Sequence, residues 1–329
     1  MNRAALALLL LVAALLAVLL SVRFGSVSLT TSEVVAALTG GGPEVHRDIL
    51  LGFRLPRAVL GLLVGGGLAL AGAVFQALLR NPLAEPYILG VSGGAGAGAV
   101  LVLSLGFVSL GSAVLPAAAF TGALVAILLV FWVASSANRG MDVRVLLLAG
   151  VVVGSFFTAV IALILSLSEA RAVRSAVLWM MGSLSGADWG NVGVVGAYTI
   201  PSALALLGLA RPLNLMAVGE DTARYLGTNV ERVKKVSYGV ASLLTAAGVA
   251  VAGIIGFVGL IVPHGVRLLV GSDQRVLLPL SFLAGAAFLT LADLVARLLL
   301  APTEIPIGVV TAFVGVPFFL LLLRRSMAR

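Results

Sequence analysis

Few side chains in this 329-residue chain can do chemistry, and their spacing limits what that chemistry is. A phosphate-cradling loop needs Gly-Lys followed by Ser or Thr. The only lysines are Lys234 and Lys235, and neither follows a glycine. The chain therefore has no nucleotide site of that kind, and ATP-driven work would fall to a partner. The two histidines are His46 and His264, the latter in "VPHG", and neither has a HExxH-type neighbour. A lone His264 reads as a helix-end or hydrogen-bonded residue. "GVSG" at 90–93 offers Ser92 as a nucleophile with His264 as its base, the outline of an intramembrane serine protease. A four-residue pattern is a cheap match in a chain with 39 glycines. Asp293 and Glu304 flank "LVARLLLAPT". An ion-coupled secondary transporter uses such a carboxylate, but Asp293 and Arg297, at i and i+4, also suit an ion pair on one helix face. "FRLPRAV" sets Arg54 and Arg57 three apart at a helix start, against the helix dipole. That placement suits an external anionic partner or a snorkelling interfacial anchor. With no cysteine there is no disulfide and no thiolate metal site.

The elements that must position these residues are membrane helices. The chain is 61% hydrophobic and 10% charged, with apolar runs of Leu, Val, Ala and Gly rather than the alternation of a barrel strand. Spans are predicted at 4–22, 58–79, 92–111, 113–137, 143–167, 192–210, 233–269, 276–299 and 306–323. The first is read as a retained span rather than a cleaved signal. The run 233–269 is too long for one crossing of a core about 30 Å thick. Its Gly-rich middle, "AGIIGFVG" at 252–259, predicts a break into two, giving ten crossings. An all-α polytopic fold in a single domain, 1–329, follows.

Basic residues set the sidedness. With ten crossings and the N-terminus inside, 14 basic residues lie inside, Arg139 and Arg329 among them, against 7 outside. Acidic residues divide 6 against 7. Both termini are thus expected in the cytoplasm of a cell (inner) membrane protein, and the charge of +8 reflects that face rather than nucleic-acid binding. The segment "RPLNLMAVGEDTARYLGTNVERVKK", 211–235, falls on the same side and holds eight charged residues. Burying eight charges in lipid would cost on the order of 20 kcal/mol on an insertion scale. Acid at its Gly-Glu-Asp start and Gly227 as a stop predict a short helix outside the hydrocarbon, more than a connection requires.

"FRLPRAVLGLLVGGGLALAGAVFQALLRNPLAEPYILGVSGGAGAGA" (53–99) resembles the signature of the permease subunits of type II ATP-binding-cassette importers, which carry iron–siderophores, haem and cobalamin. "LWMMGSLSGADW" (178–189), "RPLNLMAVGEDTARYLG" (211–227), "GFVGLIVPHGVRLL" (256–269) and "ADLVARLLLAPTEIPIGVVTAFVGVPFFLLLLRR" (292–325) are similar to that family's other hallmarks, in the same order. The resemblance implies a homodimer of ten-helix subunits that is not itself an enzyme. It also implies two ATPase subunits holding the ATP and magnesium, one periplasmic or lipid-anchored binding protein, and no cofactor on this chain. Coupling helices are implied at about 213–229, with Gly219, Glu220, Ala223, Arg224, Leu226 and Gly227 meeting the ATPase and Glu220 with Arg224 governing coupling. Arg54, Arg57 and Arg297 match the positions that receive the binding protein, and Met180, Met181, Gly182 and Ser183 match a segment near the pathway. An iron chelate is the first expectation for the cargo, with cobalamin and haem beside it.

Overall fold

The computed structural model describes residues 2–25, 27, 29–136 and 141–327; Arg139 and Arg329 lie outside the described residues. Helix α1 spans Arg3–Arg23, α2 Thr31–Leu38 and α3 Glu44–Arg47. A π-helical turn, Asp48–Arg54, leads without interruption into α4, Leu55–Leu78. There follow α5 (Val91–Ser104), α6 (Val114–Ser135), α7 (Val143–Ser166), α8 (Ala170–Met180) and α9 (Trp189–Gly208). The remainder is α10 (Ala210–Val218), α11 (Glu220–Tyr225), α12 (Val230–Ala252), α13 (Val258–Val270), α14 (Gln274–Leu298) and α15 (Ile307–Met327). Among the described residues there is no strand.

Among the described residues seven helical runs are long and apolar enough to cross a membrane: α1, the run Glu44–Leu78, α6, α7, α9, α12 and α14. Three shorter apolar stretches, α5, α13 and Ile307–Leu321 of α15, join them. The predicted break is present. Helix α12 ends at Ala252, and α13 begins at Val258 after an irregular stretch in which Phe257 takes a left-handed conformation.

Helices α4 and α14 form the buried centre and run antiparallel. Gly65 on α4 and Gly285 on α14 meet backbone to backbone, and a Cβ on either would strike the other's carbonyl. Such close approach supplies the van der Waals contact that holds helices together where no hydrophobic force acts between them.

Helices α5 and α13 have 14 and 13 residues, or roughly 20 Å each, less than a full crossing. Each follows an irregular stretch, and amides in the one before α13 find partners within the protein, as a lipid environment demands. The Tyr87 hydroxyl accepts the Ile255 N–H at 3.1 Å, and the Glu85 carboxylate accepts the Phe257 N–H at 2.7 Å. Ser183 N–H donates to Ala252 O at 2.8 Å; Ile307 and Gly308 N–H donate to Gly182 and Met181 carbonyls at 3.1 and 3.0 Å. The segment after α8 is thus stitched to the break before α13 and to the start of α15.

Candidate functional site

The start of α4 and the end of α14 lie at one end of the bundle, here the arginine end. The end of α4, the start of α14 and helices α10–α11 lie at the other, the cassette end.

At the arginine end Asp293, on α14, is almost fully buried and sits between two guanidinium groups. Arg57 donates to it from Nε at 3.0 and 3.1 Å and from Nη2 at 2.8 Å. Arg297 Nε lies 3.1 Å from Asp293 Oδ2, and its Nη2 donates to the Ser21 hydroxyl on α1 at 2.6 Å. Arg57 also makes a two-pronged pair with Glu304, Nη1 to Oε1 at 3.0 Å and Nη2 to Oε2 at 2.9 Å. Arg54 is turned inward and donates to the carbonyls of Val22, Arg23 and Val27, which close the connection after α1. Of the three arginines expected to face an external partner, Arg54 and Arg297 are therefore buried and Arg57 is partly buried, and all three are engaged within the protein. They do converge: with Glu304, Gly25, Phe53 and Ser185 they line one cavity of about 300 Å³. Asp293 is an ion-pair partner, not a free carboxylate. The Ser92–His264 pairing is not formed. His264 Nδ1 has no partner among the described residues.

The cassette folds as two helices rather than one, because Gly219 adopts a fully extended backbone between α10 and α11. Gly227, with φ +82°, ends α11 as expected. Its N–H donates to Arg224 O and the Thr228 N–H to Ala223 O, both at 2.9 Å, the paired bonds of a glycine-terminated helix.

The six residues expected to meet an ATPase divide by orientation. Ala223 is fully buried, and Glu220 points into the protein. Arg224 is half exposed and spans Asp221, Glu220 and Glu231 at 3.0, 3.8 and 3.7 Å. Gly219 and Gly227 shape the chain, and Leu226 is 62% exposed. Beside Leu226 stand two residues the sequence reading missed, Val218 at 77% and Tyr225 at 91% exposure. Their signal was available: they are apolar side chains in the most charged stretch of the chain.

Behind this face lies a polar cavity of about 540 Å³. Glu220 accepts from Lys234 Nζ on α12 at 2.7 Å and lies 3.3 Å from Arg80, just beyond α4. Helix α10 has its own anchor: the Asn214 amide donates to Asp273 at 2.7 Å and accepts the Gln274 N–H at 2.8 Å. Asp273 caps α14, and these bonds, the Asn214 amide first and the Arg275 N–H second, hold its carboxyl below the usual aspartate range.

Midway between the two ends an apolar cavity of about 590 Å³ opens to the surface, lined by Met180, Met181, Ile254, Phe257, Gly308 and Phe313 among others. The two methionines of the expected pathway line it. Gly182 and Ser183 lie behind, bonding the backbone that shapes it.

A multi-pass helical protein with a charged two-helix cassette at one end and no nucleotide loop has the form of a transporter's membrane subunit. Residues 10–325 match the FecCD transport family. The chain is 46% identical over 299 residues to the cobalamin import system permease protein BtuC of Halobacterium salinarum, across 91% of this chain and 79% of that one. It is 44% identical over 273 residues, 83% and 82% of the two chains, to the vitamin B12 import system permease protein BtuC of Escherichia coli. Among solved structures it superposes on an inward-facing metal-chelate type ABC transporter with a TM-score of 0.87 and 31% identity, covering 97% of this chain and 98% of that one. The chain belongs to the FecCD transport family and is an ABC transporter permease.

Proposed function

We propose that this chain is the permease of an ATP-driven importer of cobalamin, working as a homodimer in a cell membrane with both termini in the cytoplasm. Two ABC ATPase subunits bind the cassette end and one external substrate-binding protein binds the arginine end. All 329 residues act as one transmembrane domain that holds no cofactor; ATP and magnesium stay on the partner. The observation carrying this reading is the exposed apolar face of Val218, Tyr225 and Leu226 on a charged cassette, in a chain unable to hold nucleotide through a glycine-lysine loop. Exposed apolar clusters rimmed by charge mark protein interfaces.

In this account Val218, Tyr225 and Leu226 make the ATPase contact, with Arg224 on the rim. Gly219 and Gly227 set the shape, and Glu220 and Ala223 support from behind. Arg57, in the cavity it shares with Arg54 and Arg297, exchanges its exposed partner Glu304 for a carboxylate of the binding protein, Arg54 and Arg297 holding the wall. The cargo passes along the apolar surface beginning at Met180 and Met181. The exposed apolar side of α15, Phe313 above all, packs on the second copy. Cobalamin stands ahead of the iron chelate first expected, because the similar relatives named above are cobalamin permeases.

The test is ATP-dependent uptake into liposomes holding this chain, its ATPase and its binding protein, with cobalamin, ferric siderophore and haem supplied in turn. Uptake of cobalamin is the expected result. Uptake of ferric siderophore or haem alone overturns the cargo, and uptake without ATPase overturns the importer reading.

A further inference from the structure

Lys234 is one of two lysines in a chain with 21 basic residues, and the two are placed differently. Lys235 is exposed, whereas Lys234 is only 4% exposed. A buried ammonium is costly unless its donors are used. Here two donors are well defined. One goes to Glu220 on α11 at 2.7 Å, the other to the carbonyl of Met141 at 2.9 Å, in the turn that starts α7. The same Met141 peptide is held from its other side, its N–H donating to Glu231 at 2.8 Å. Lys234 and Glu231, i+3 and i on the first turns of α12, therefore grip one peptide by both its polar groups. Glu220 adds a third strand through Arg80, which takes a left-handed backbone at φ +47° just beyond α4.

From this geometry, and resting on the permease reading above, we infer that Lys234 is the positioning residue that carries motion of α11 to the membrane helices. A carboxylate shared by Arg80 and Lys234 ties α11 to the end of α4, and the Lys234–Met141 bond ties it to the head of α7. Helix α7 leads through α8 to Met180 and Met181 on the apolar cavity. Displacement of α11 by an ATPase then moves these two connections together, because the buried Lys234 loses a close hydrogen bond if either parts, Glu231 at 3.8 Å lying too far to replace it. A lysine suits this role: its three rotatable donors reach a carboxylate and a carbonyl that no planar fork would span.

The test uses the reconstituted permease–ATPase complex. Thr222→Cys and Arg144→Cys carry spin labels on α11 and α7 in a chain with no native cysteine. With Lys234 present, the label separation stays constant between nucleotide-free and ATP-bound states. In Lys234→Met it becomes nucleotide-dependent, and cargo moved per ATP hydrolysed falls about tenfold. Lys234→Arg restores coupling only in part. Glu220→Gln, which cuts the α11 strand and leaves the Lys234–Met141 bond, gives the same decoupling should Lys234→Met not fold. A constant separation with unchanged cargo per ATP in both Lys234→Met and Glu220→Gln overturns the inference. Failure of the unsubstituted chain to bind any ATPase overturns instead the permease reading on which it rests.

Discussion

The two ends of the bundle both carry arginine and carboxylate clusters, yet they are built to opposite ends. At the arginine end the charges are closed on themselves: Asp293 is shared by Arg57 and Arg297, and Arg54 is spent on three carbonyls. At the cassette end the charges stand behind an uncovered apolar face, and the most exposed large apolar side chains of the cassette are Val218, Tyr225 and Leu226. A saturated cluster fixes helices to one another, whereas an uncovered apolar face rimmed by charge has the character of an interface. The same residue types thus do different work according to burial and to what their donors already hold.

The comparison is broken most severely by Asp293→Ala. It leaves the buried Arg297 without a carboxylate and Arg57 with Glu304 alone, and loss of one member of a buried pair costs about 3–5 kcal/mol. A large fall in thermal stability in detergent is expected, whatever ATPase is present. Next is Tyr225→Ala with Leu226→Ala. If these are the anchors of an interface, each is worth about 2 kcal/mol of binding and the pair weakens ATPase affinity by two orders of magnitude or more, read by titration, with little change in stability. Arg57→Glu weakens binding-protein docking by about tenfold or more through like-charge contact, measured as binding to the permease in nanodiscs.

Glu304→Gln sharpens the contrast on a single arginine. Glu304 touches the same Arg57 as Asp293 but is 41% exposed, so its removal costs under about 1 kcal/mol. Asn214→Ala costs about 1 kcal/mol through lost hydrogen bonds at the head of α14. Because Asp273 is held below its usual range, the stabilisation from the Asn214 bond is fully present above the ordinary aspartate pKa. It is lost as pH falls through the lowered value. The difference in melting temperature between Asn214→Ala and the unsubstituted chain should therefore shrink on acidification toward pH 3.

Much of the scaffold was legible because lipid leaves the backbone few options. The break at 253–257 followed from a 37-residue apolar run that no single crossing can use, and the end of α11 followed from Gly227. Helix α8 escaped because it is amphipathic and short, giving no apolar run to find. Burial of Arg54 was not legible, since its partners are backbone carbonyls that carry no residue signature. The inward turn of Glu220 was hidden for a related reason. A six-residue helix has its rotation set by tertiary partners, here Arg80 and Lys234, which lie 140 positions upstream and 14 downstream. Asp293 with Arg297 was found, because an i, i+4 pair is local, but the more decisive Arg57 sits 236 residues away.

The most direct test of the account is retention of the ABC ATPase by the permease on purification, comparing the unsubstituted chain with Val218→Asp/Leu226→Asp. The account predicts that the unsubstituted permease carries the ATPase through to the final column and that the folded double variant elutes without it. Full retention of the ATPase by that variant would contradict the assignment of α10–α11 as the coupling face.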